Sequence, residues 1–159
     1  METTTPLIME TSSEKNTATF THLSTLSQYI IPFGNYIFPI VIWSTKKNES
    51  EFVDYNGKQV LNFQLSIFVY TVVLCLIAIP IFIYSIFKNV PEGDIHINRE
   101  FVIDNLSMGN LTGISILGII AVLLFCFIKV IEFVLIIYGA VKTSNGEFYK
   151  YPLSIPFFK

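Results

Sequence analysis

Two ionisable side chains, Lys129 and Glu132, lie inside a strongly apolar stretch, FCFIKVIEFVLIIYGAVK (125–142). They are three residues apart, so a helix places them on the same face. A charged side chain in the middle of a bilayer costs about 2.5–3.5 kcal/mol, and such residues usually face protein or water. The pair therefore predicts either a proton, ion or partner contact within the membrane, or a neutralised pair that fixes helix packing, which we favour.

Polar side chains also recur near the start of another apolar stretch. Gln59, Asn62 and Ser66 follow the three- and four-residue spacing of one helix face, and Gln64 begins a weaker stripe with Thr71. Hydrogen bonds between such side chains on neighbouring helices are worth about 0.6–2 kcal/mol in membrane bundles. We interpret these residues as helix contacts in preference to the lining of a polar pathway.

No residue spacing typical of a catalytic or metal site is visible in the sequence. His22 and His96 are not in metal-ligand spacing with each other or with a cysteine. There is also no nucleophile–base arrangement and no phosphate-binding loop. We therefore expect a protein that is not an enzyme and that uses no cofactor or metal.

The elements that carry these polar residues are predicted to be membrane helices. The chain is 52% hydrophobic and only 14% charged, whereas soluble domains carry about 25% charged residues. Residues 59–87 and 105–128 contain no formal charge, and each stretch exceeds the roughly 20 residues needed to cross a bilayer. The predicted fold class is an all-α membrane protein. A net charge of −2 without a basic cluster predicts no nucleic-acid partner.

We expect a polytopic helical bundle with three hydrophobic segments, at about residues 23–43, 58–87 and 111–141. The first segment contains Pro32 and Pro39, each of which removes a helical hydrogen bond. In lipid, the freed backbone groups must be satisfied by protein or trapped water. We predict one kinked span here. The alternative is a re-entrant pair of half-helices, each too short to cross.

Outside these segments, the sequence predicts a disordered polar N-tail (1–21), an extramembrane loop (88–110) and an aromatic interfacial C-tail (143–159), with residues 22–159 forming one transmembrane domain. Lysines are most frequent after the first and third segments. The positive-inside rule therefore places loop 44–57 and the C-terminus on the cytoplasmic side of the cytoplasmic (inner) membrane, and the N-tail outside. A re-entrant first segment would place the N-tail inside.

Small residues predict where the third segment packs. Gly109 and Gly113 have small-xxx-small spacing, which permits close helix approach. The face that carries the charged pair also contains Gly118, Ala121 and Gly139. This face is predicted to point at the chain's own helical bundle or at a partner helix. Besides the lipid bilayer, we expect a membrane-protein partner or a second copy of the chain.

Three blocks of sequence, HLSTLSQYIIPFGNYIFPIVIW (22–43), FVDYNGKQVLNFQ (52–64) and KTSNGEFYKYPL (142–153), carry a family resemblance. Together they resemble the small bacterial membrane-protein family called domain of unknown function 4870. That family is distantly similar to the small import component of the chloroplast inner envelope (Tic translocon). The resemblance implies a polytopic helical membrane protein without an established activity. Besides Asn62 and Gln64, it draws attention to Phe52, Asp54, Gly57, Gly146, Tyr151 and Pro152.

We interpret these positions as residues that set the architecture on the cytoplasmic side, in preference to a ligand site. Asp54 would cap a helix, Gly57 would allow tight packing, and Tyr151 with Pro152 would anchor the tail. The family pattern often has His in place of Asn56 and Glu in place of Gln59, so this chain lacks two titratable groups. We expect a non-enzymatic accessory or interaction subunit that packs with a membrane complex or with itself. The alternative is an oligomeric conduit or translocation component.

Overall fold

The computed structural model describes residues 10–87 and 108–159. Within these ranges the regular structure is helical and contains no strand. The elements in chain order are α1 (Ser12–Ser24), a 3-10 helix (Thr25–Tyr29), α2 (Gly34–Lys46), α3 (Glu51–Phe87) and α4 (Met108–Ser144). The predicted all-helical class is confirmed, whereas most of the predicted loop 88–110 lies outside the described residues.

Two helical stretches are long and apolar enough to cross a membrane, Glu51–Tyr84 and Gly118–Ser144. Only 6% and 11% of their most hydrophobic windows are buried. The core helix of a soluble domain is mostly buried, whereas these apolar side chains face outward. The second and third predicted segments are therefore candidate spans. Relative to the predicted bounds, the former begins earlier, at Glu51, and the latter begins later, at Gly118.

The first hydrophobic segment does not form the predicted kinked span. The 3-10 helix ends at Tyr29, and α2 begins only at Gly34. Between them Phe33 has a φ of 62°, in the left-handed region that non-glycine residues rarely adopt. With 13 residues, α2 is about 20 Å long, shorter than the roughly 30 Å hydrocarbon core.

Instead, α1 with the following 3-10 helix packs antiparallel to α2, and we call these residues, Ser12 to Lys46, the hairpin. At its open end, Lys46 Nζ donates a hydrogen bond to Ser13 Oγ (2.9 Å). At its closed end, Gly34 packs so tightly that an added Cβ would lie 2.5 Å from Ser27 Oγ. Glycine is required there because no side chain fits between the two arms.

The predicted disorder of residues 1–21 is wrong for residues 12–21, which belong to α1. The Glu14 N–H donates to Thr11 Oγ1 (3.3 Å), and the Thr11 N–H donates to Glu14 Oε2 (2.7 Å). This capping box satisfies two backbone donors at the start of the helix. The helix then buries Ala18 in a cluster with Phe52 and Val53 of α3.

The chain divides into two compact units, one containing residues up to Phe68 together with Val130–Lys159, and the other Val69–Lys129. The prediction of one domain over residues 22–159 did not anticipate this division. The hairpin and the C-terminal tail belong to the first unit. The second unit contains residues of α3 and α4.

Candidate functional site

A buried polar cluster joins four elements of the first unit. It consists of His22 on α1, Asn56 on α3, Thr143 on α4 and Tyr151 in the tail, and we call it the histidine cluster. None of the four residues is more than 2% exposed. Buried polar groups are costly unless they are hydrogen-bonded, so their partners determine what the cluster does.

The hydrogen bonds of the histidine cluster form one connected network. His22 Nδ1 lies 2.7 Å from the Tyr151 hydroxyl, and His22 Nε2 lies 3.1 Å from Thr143 Oγ1. The Thr143 hydroxyl donates to Asn56 Oδ1 (3.2 Å), and Asn56 Nδ2 donates to the Phe52 carbonyl (3.0 Å). Because the Thr143 hydroxyl donates to Asn56, its oxygen accepts from His22 Nε2, which therefore carries the imidazole proton. His22 Nδ1 then accepts a hydrogen bond from the Tyr151 hydroxyl.

Burial keeps the two titratable members of this cluster neutral. It lowers the pKa of His22 to about 4, against a smaller opposing effect of the Asn56 hydrogen bond. It also raises the pKa of Tyr151 well above 10, and the charges of Tyr149 and Glu132 act in the same direction. The cluster therefore works as a set of neutral hydrogen-bonding groups at physiological pH.

Aromatic side chains also pack around the histidine cluster. The Tyr151 ring stacks on Phe63 with ring centroids 4.1 Å apart, and its other neighbours include His22 at 5.5 Å. A Cβ added at Gly139 would lie 2.9 Å from His22 Nδ1 and from the Tyr149 ring. The small residue Gly139 thus makes room both for His22 on α1 and for Tyr149 of the tail.

A second buried polar layer lies after the histidine cluster on α3 and before it on α4, and we call it the carboxylate layer. Glu132 is fully buried, and its Oε1 accepts a hydrogen bond from Gln28 Nε2 (2.9 Å). Asn35 Nδ2 donates to Gln64 Oε1 (2.8 Å). Each bond connects the hairpin to a candidate span, so the prediction that Gln64 bonds across helices agrees with its contact.

The two predicted charged residues have different surroundings. Glu132 belongs to the first unit and is covered by the hairpin through Gln28. Lys129 belongs to the second unit, is partly exposed, and its Nζ lies 5.9 Å from the centroid of the Phe125 ring. Long lysine side chains commonly combine an apolar stem contact with a cation–π interaction of this kind.

Asn62 holds the C-terminal tail, where the sequence analysis expected a contact between helices. Its Oδ1 accepts from the backbone N–H groups of Phe157 (3.0 Å) and Phe158 (2.8 Å), and its Nδ2 donates to the Phe158 carbonyl (2.9 Å). One turn further on, Ser66 Oγ accepts from the Ile155 N–H (2.8 Å). The tail is thus held on α3 by side-chain hydrogen bonds, besides the local backbone bond from the Phe157 N–H to the Ile155 carbonyl (3.0 Å).

Asp54 does not cap α3, because the helix begins at Glu51 and Ser50 Oγ accepts from the Val53 N–H (3.3 Å). Asp54 instead accepts from Trp43 Nε1 (3.0 Å) and pairs with Lys58 (2.6 Å). The Trp43 ring lies directly against Gly57, where an added Cβ would overlap it. The prediction of tight packing at Gly57 therefore has a specific neighbour.

The remaining predicted residues do not join these clusters. Gln59 is partly exposed and lines a surface cavity of about 420 Å³, and Pro152 is exposed. Gly118 and Ala121 line an apolar groove of about 320 Å³ in the second unit. Phe52 is buried against the edge of Phe148. Gly109 and Gly113 lie within α4, and Gly146 lies just after its end with a φ of 87°.

His22 and Thr143 are the members of the site that sequence reasoning missed. They are separated by 121 positions, so no local spacing connects them. His22 was considered only as a metal ligand. The one signal in the sequence was the presence of both residues in the blocks that carry the family resemblance.

Comparison with protein families gives one match that covers almost the whole chain. Residues 13–158 match the family model of MamF/MmsF, the magnetosome magnetite crystal formation protein family. This match overturns the resemblance to domain of unknown function 4870, and it gives no support for similarity to the chloroplast import component. Searches of curated proteins and of solved structures found no match to the chain.

Proposed function

The chain belongs to the MamF/MmsF magnetosome magnetite crystal formation protein family, and from this premise we propose that it acts in magnetite crystal formation as a non-enzymatic accessory protein of the magnetosome membrane. Its two exposed apolar helices support a position within a bilayer. Family membership supports the role in magnetite crystal formation, and the arrangement of the polar residues supports a non-enzymatic action.

The observation that carries the non-enzymatic part is the complete burial of both His22 and Glu132. A general acid or base has to lie within hydrogen-bonding distance of the atom that it protonates or deprotonates. In this chain, His22 contacts Tyr151 and Thr143, and Glu132 contacts Gln28. These hydrogen bonds connect the hairpin and the tail to the candidate spans, which is the role of a structural network.

A partner membrane protein or a second copy of the chain is part of the proposal. A structural accessory protein acts through what it contacts, and the described residues expose apolar side chains along both candidate spans. We also propose that residues 44–57 and the C-terminus face the cytoplasm, on the basis of their lysines. The connection between α2 and α3 is shorter than the predicted loop, because α2 ends at Lys46 and α3 begins at Glu51. Affinity purification in mild detergent tests the partner, and a monodisperse monomer without a companion would contradict that part.

Complementation of a magnetite-forming cell that lacks this chain tests the function itself. The wild-type chain should restore crystal size and shape, measured by electron microscopy. Glu132→Gln should also restore them, because glutamine keeps the shape of the side chain and removes only the charge. Unchanged crystals in the cell lacking the chain would overturn the role in crystal formation.

The same experiment separates structural action from chemistry. A Glu132→Gln chain that is present in the membrane at the normal level, yet leaves the crystals altered, would indicate that the carboxylate moves protons or ions. That result would overturn the non-enzymatic part of the proposal while leaving the role in crystal formation intact.

A further inference from the structure

We propose that the hairpin is a lipid wedge, which inserts into one leaflet of the bilayer and returns to the side from which it entered. Its partner on this account is the acyl-chain layer of a phospholipid leaflet. The proposal concerns how the chain contacts its membrane and does not depend on the role in crystal formation.

The geometry of the hairpin limits it to part of the bilayer. Its ends lie together, because Lys46 Nζ bonds Ser13 Oγ at 2.9 Å. Its turn lies near the carboxylate layer, since Gln28 contacts Glu132 and Asn35 contacts Gln64. Gln64 is 13 residues beyond Glu51, the start of α3, which corresponds to about 20 Å along a helix. The hydrocarbon core is roughly 30 Å thick, so the turn stops short of the far side.

The sequence of the hairpin matches such an insertion. No Asp, Glu, Lys or Arg occurs from Asn16 to Thr45, and lysines flank this stretch at Lys15 and Lys46. This stretch is uncharged throughout, and it is apolar chiefly from Ile30 to Trp43. Lysines at the ends of a membrane-inserted stretch keep their ammonium groups at the membrane–water interface. Because both lysines lie at the open end of the hairpin, they indicate the same interface.

Lipid is the occupant that best fits the surface of the turn. Ile30 is 86% exposed and Phe33 is 72% exposed, and both lie at the closed end of the hairpin. Their neighbours on the outer face of α2, Ile37 and Val41, are also exposed and apolar. The polar side chains of the hairpin that face inward, Gln28 and Asn35, are bonded to the candidate spans. The apolar outer face of the hairpin therefore suits contact with acyl chains.

A helix pair that occupies one leaflet only adds cross-section to that leaflet. Interfacial amphipathic helices, which also add cross-section to one leaflet, bind in a manner sensitive to membrane curvature. The chain should therefore accumulate where the membrane is convex on the side of the hairpin. Lipid contact, a shared side for both ends, and preference for curvature are the three consequences to test.

Depth-dependent quenching of tryptophan by brominated phospholipids tests the lipid contact. The full chain contains a single tryptophan, Trp43, which reports on the base of the hairpin. The variant Ile30→Trp with Trp43→Phe reports on the turn. We expect strongest quenching at Ile30→Trp by bromines deep in the acyl chains and at Trp43 by shallow ones. A residue-30 tryptophan that no bromolipid quenches would mean that protein, either a second copy or a partner, covers the turn, and would overturn the proposal.

Labelling of single cysteines tests the shared side. With Cys75 and Cys126 replaced by alanine, Ser13→Cys and Glu49→Cys are labelled separately with a membrane-impermeant maleimide in sealed right-side-out and inverted vesicles. Both positions should react in vesicles of the same orientation. Reaction in vesicles of opposite orientation would show that the segment crosses the membrane, which would overturn the proposal.

Membrane tubes drawn from giant vesicles that contain the full chain test the preference for curvature. The fluorescently tagged wild type should be enriched in the tube over the flat membrane when the hairpin faces outward. The double variant Ile30→Ser with Phe33→Ser should lose this enrichment, whereas Ile77→Ser, an exposed position on α3, should keep it. Equal wild-type densities in tube and flat membrane would contradict the wedge.

Discussion

Gln28 Nε2 donates a hydrogen bond to Glu132 Oε1 over 2.9 Å, which joins the hairpin to the span α4. This contact explains how a carboxylate is accommodated in a long apolar helix. An acidic side chain exposed to acyl chains would be strongly unfavourable, whereas Glu132 is fully buried within the first compact unit. The hairpin therefore serves as a cover for the polar layer.

The stability of the protein should fall with acidification through His22. The folded state holds the pKa of His22 at about 4, compared with 6.5 for the free side chain. Between these values the unfolded chain binds the proton more strongly, so stability decreases as the pH falls from about 6.5 toward 4 and then levels off. Each pKa unit corresponds to about 1.36 kcal/mol, so the full loss is about 3 kcal/mol.

Unfolding of the detergent-solubilised protein between pH 4 and 7.5 measures this effect. His22→Gln should remove the His22 part of the pH dependence, and the control His96→Gln, at the other histidine, should retain it. Identical pH profiles for wild type and His22→Gln would show that the imidazole is not held neutral by burial.

Truncation of Tyr151 should release the C-terminal tail. Tyr151→Phe keeps the ring stacked on Phe63 but leaves His22 Nδ1 without this donor, at an expected cost of about 1–2 kcal/mol. Tyr151→Ala also removes the buried ring, at an expected cost of about 3–5 kcal/mol. Trypsin cleavage after Lys150 should be slow in wild type, faster in Tyr151→Phe and fastest in Tyr151→Ala. Equal cleavage rates in the three chains would contradict the anchor.

Asn62 should control the order of the last residues of the tail. Asn62→Ala removes both the acceptor for the Phe157 and Phe158 amides and the donor to the Phe158 carbonyl. Hydrogen exchange of these two amides should accelerate in Asn62→Ala and remain near wild type in Gln59→Ala, a neighbouring but partly exposed position. Fast exchange of both amides already in the wild type would show that the contact does not persist.

Gly57→Ala should displace Trp43, because the added methyl group would overlap the indole ring. The ring would then lose its hydrogen bond to Asp54, now 3.0 Å long. Since Trp43 is the single tryptophan of the chain, its fluorescence reports the change without interference. We expect a shifted emission maximum in Gly57→Ala and no shift in Gly118→Ala, where open space surrounds the position among the described residues. An unshifted Gly57→Ala spectrum would contradict the packing.

Long-range apolar patterns were predictable from the sequence, and the pairing of polar groups was not. Uncharged stretches of more than 20 residues indicate membrane helices whatever their neighbours, so α3 and α4 were anticipated. Pro32 lies in the break between the 3-10 helix and α2, whereas Pro39, also predicted to break the segment, lies inside α2. The choice between kink and hairpin depends on where α3 and α4 offer partners for Gln28 and Asn35. These partners become known only from the packing of the helices, which a single sequence does not give.

The α1 helix and the histidine cluster show the same limit. A Thr/Ser-rich tail has the composition of disorder, yet Thr11 and Glu14 at capping-box spacing start a helix that is then held by burial of Ala18 and His22. His22, Asn56 and Thr143 meet only after α1, α3 and α4 have packed. A single sequence contains no periodicity that links them.

A double-mutant cycle at Gln28 and Glu132 tests most directly whether the hairpin covers the carboxylate of α4. Gln28→Ala, Glu132→Ala and the double variant are compared with wild type for their free energies of unfolding in detergent. The sum of the two single losses should exceed the loss in the double variant by about 1–2 kcal/mol. The reason is that each single variant already loses the charged hydrogen bond, whereas the double variant loses it only once. Losses that add without coupling would show that Gln28 does not contact Glu132, and would contradict the hairpin as a cover for the polar layer.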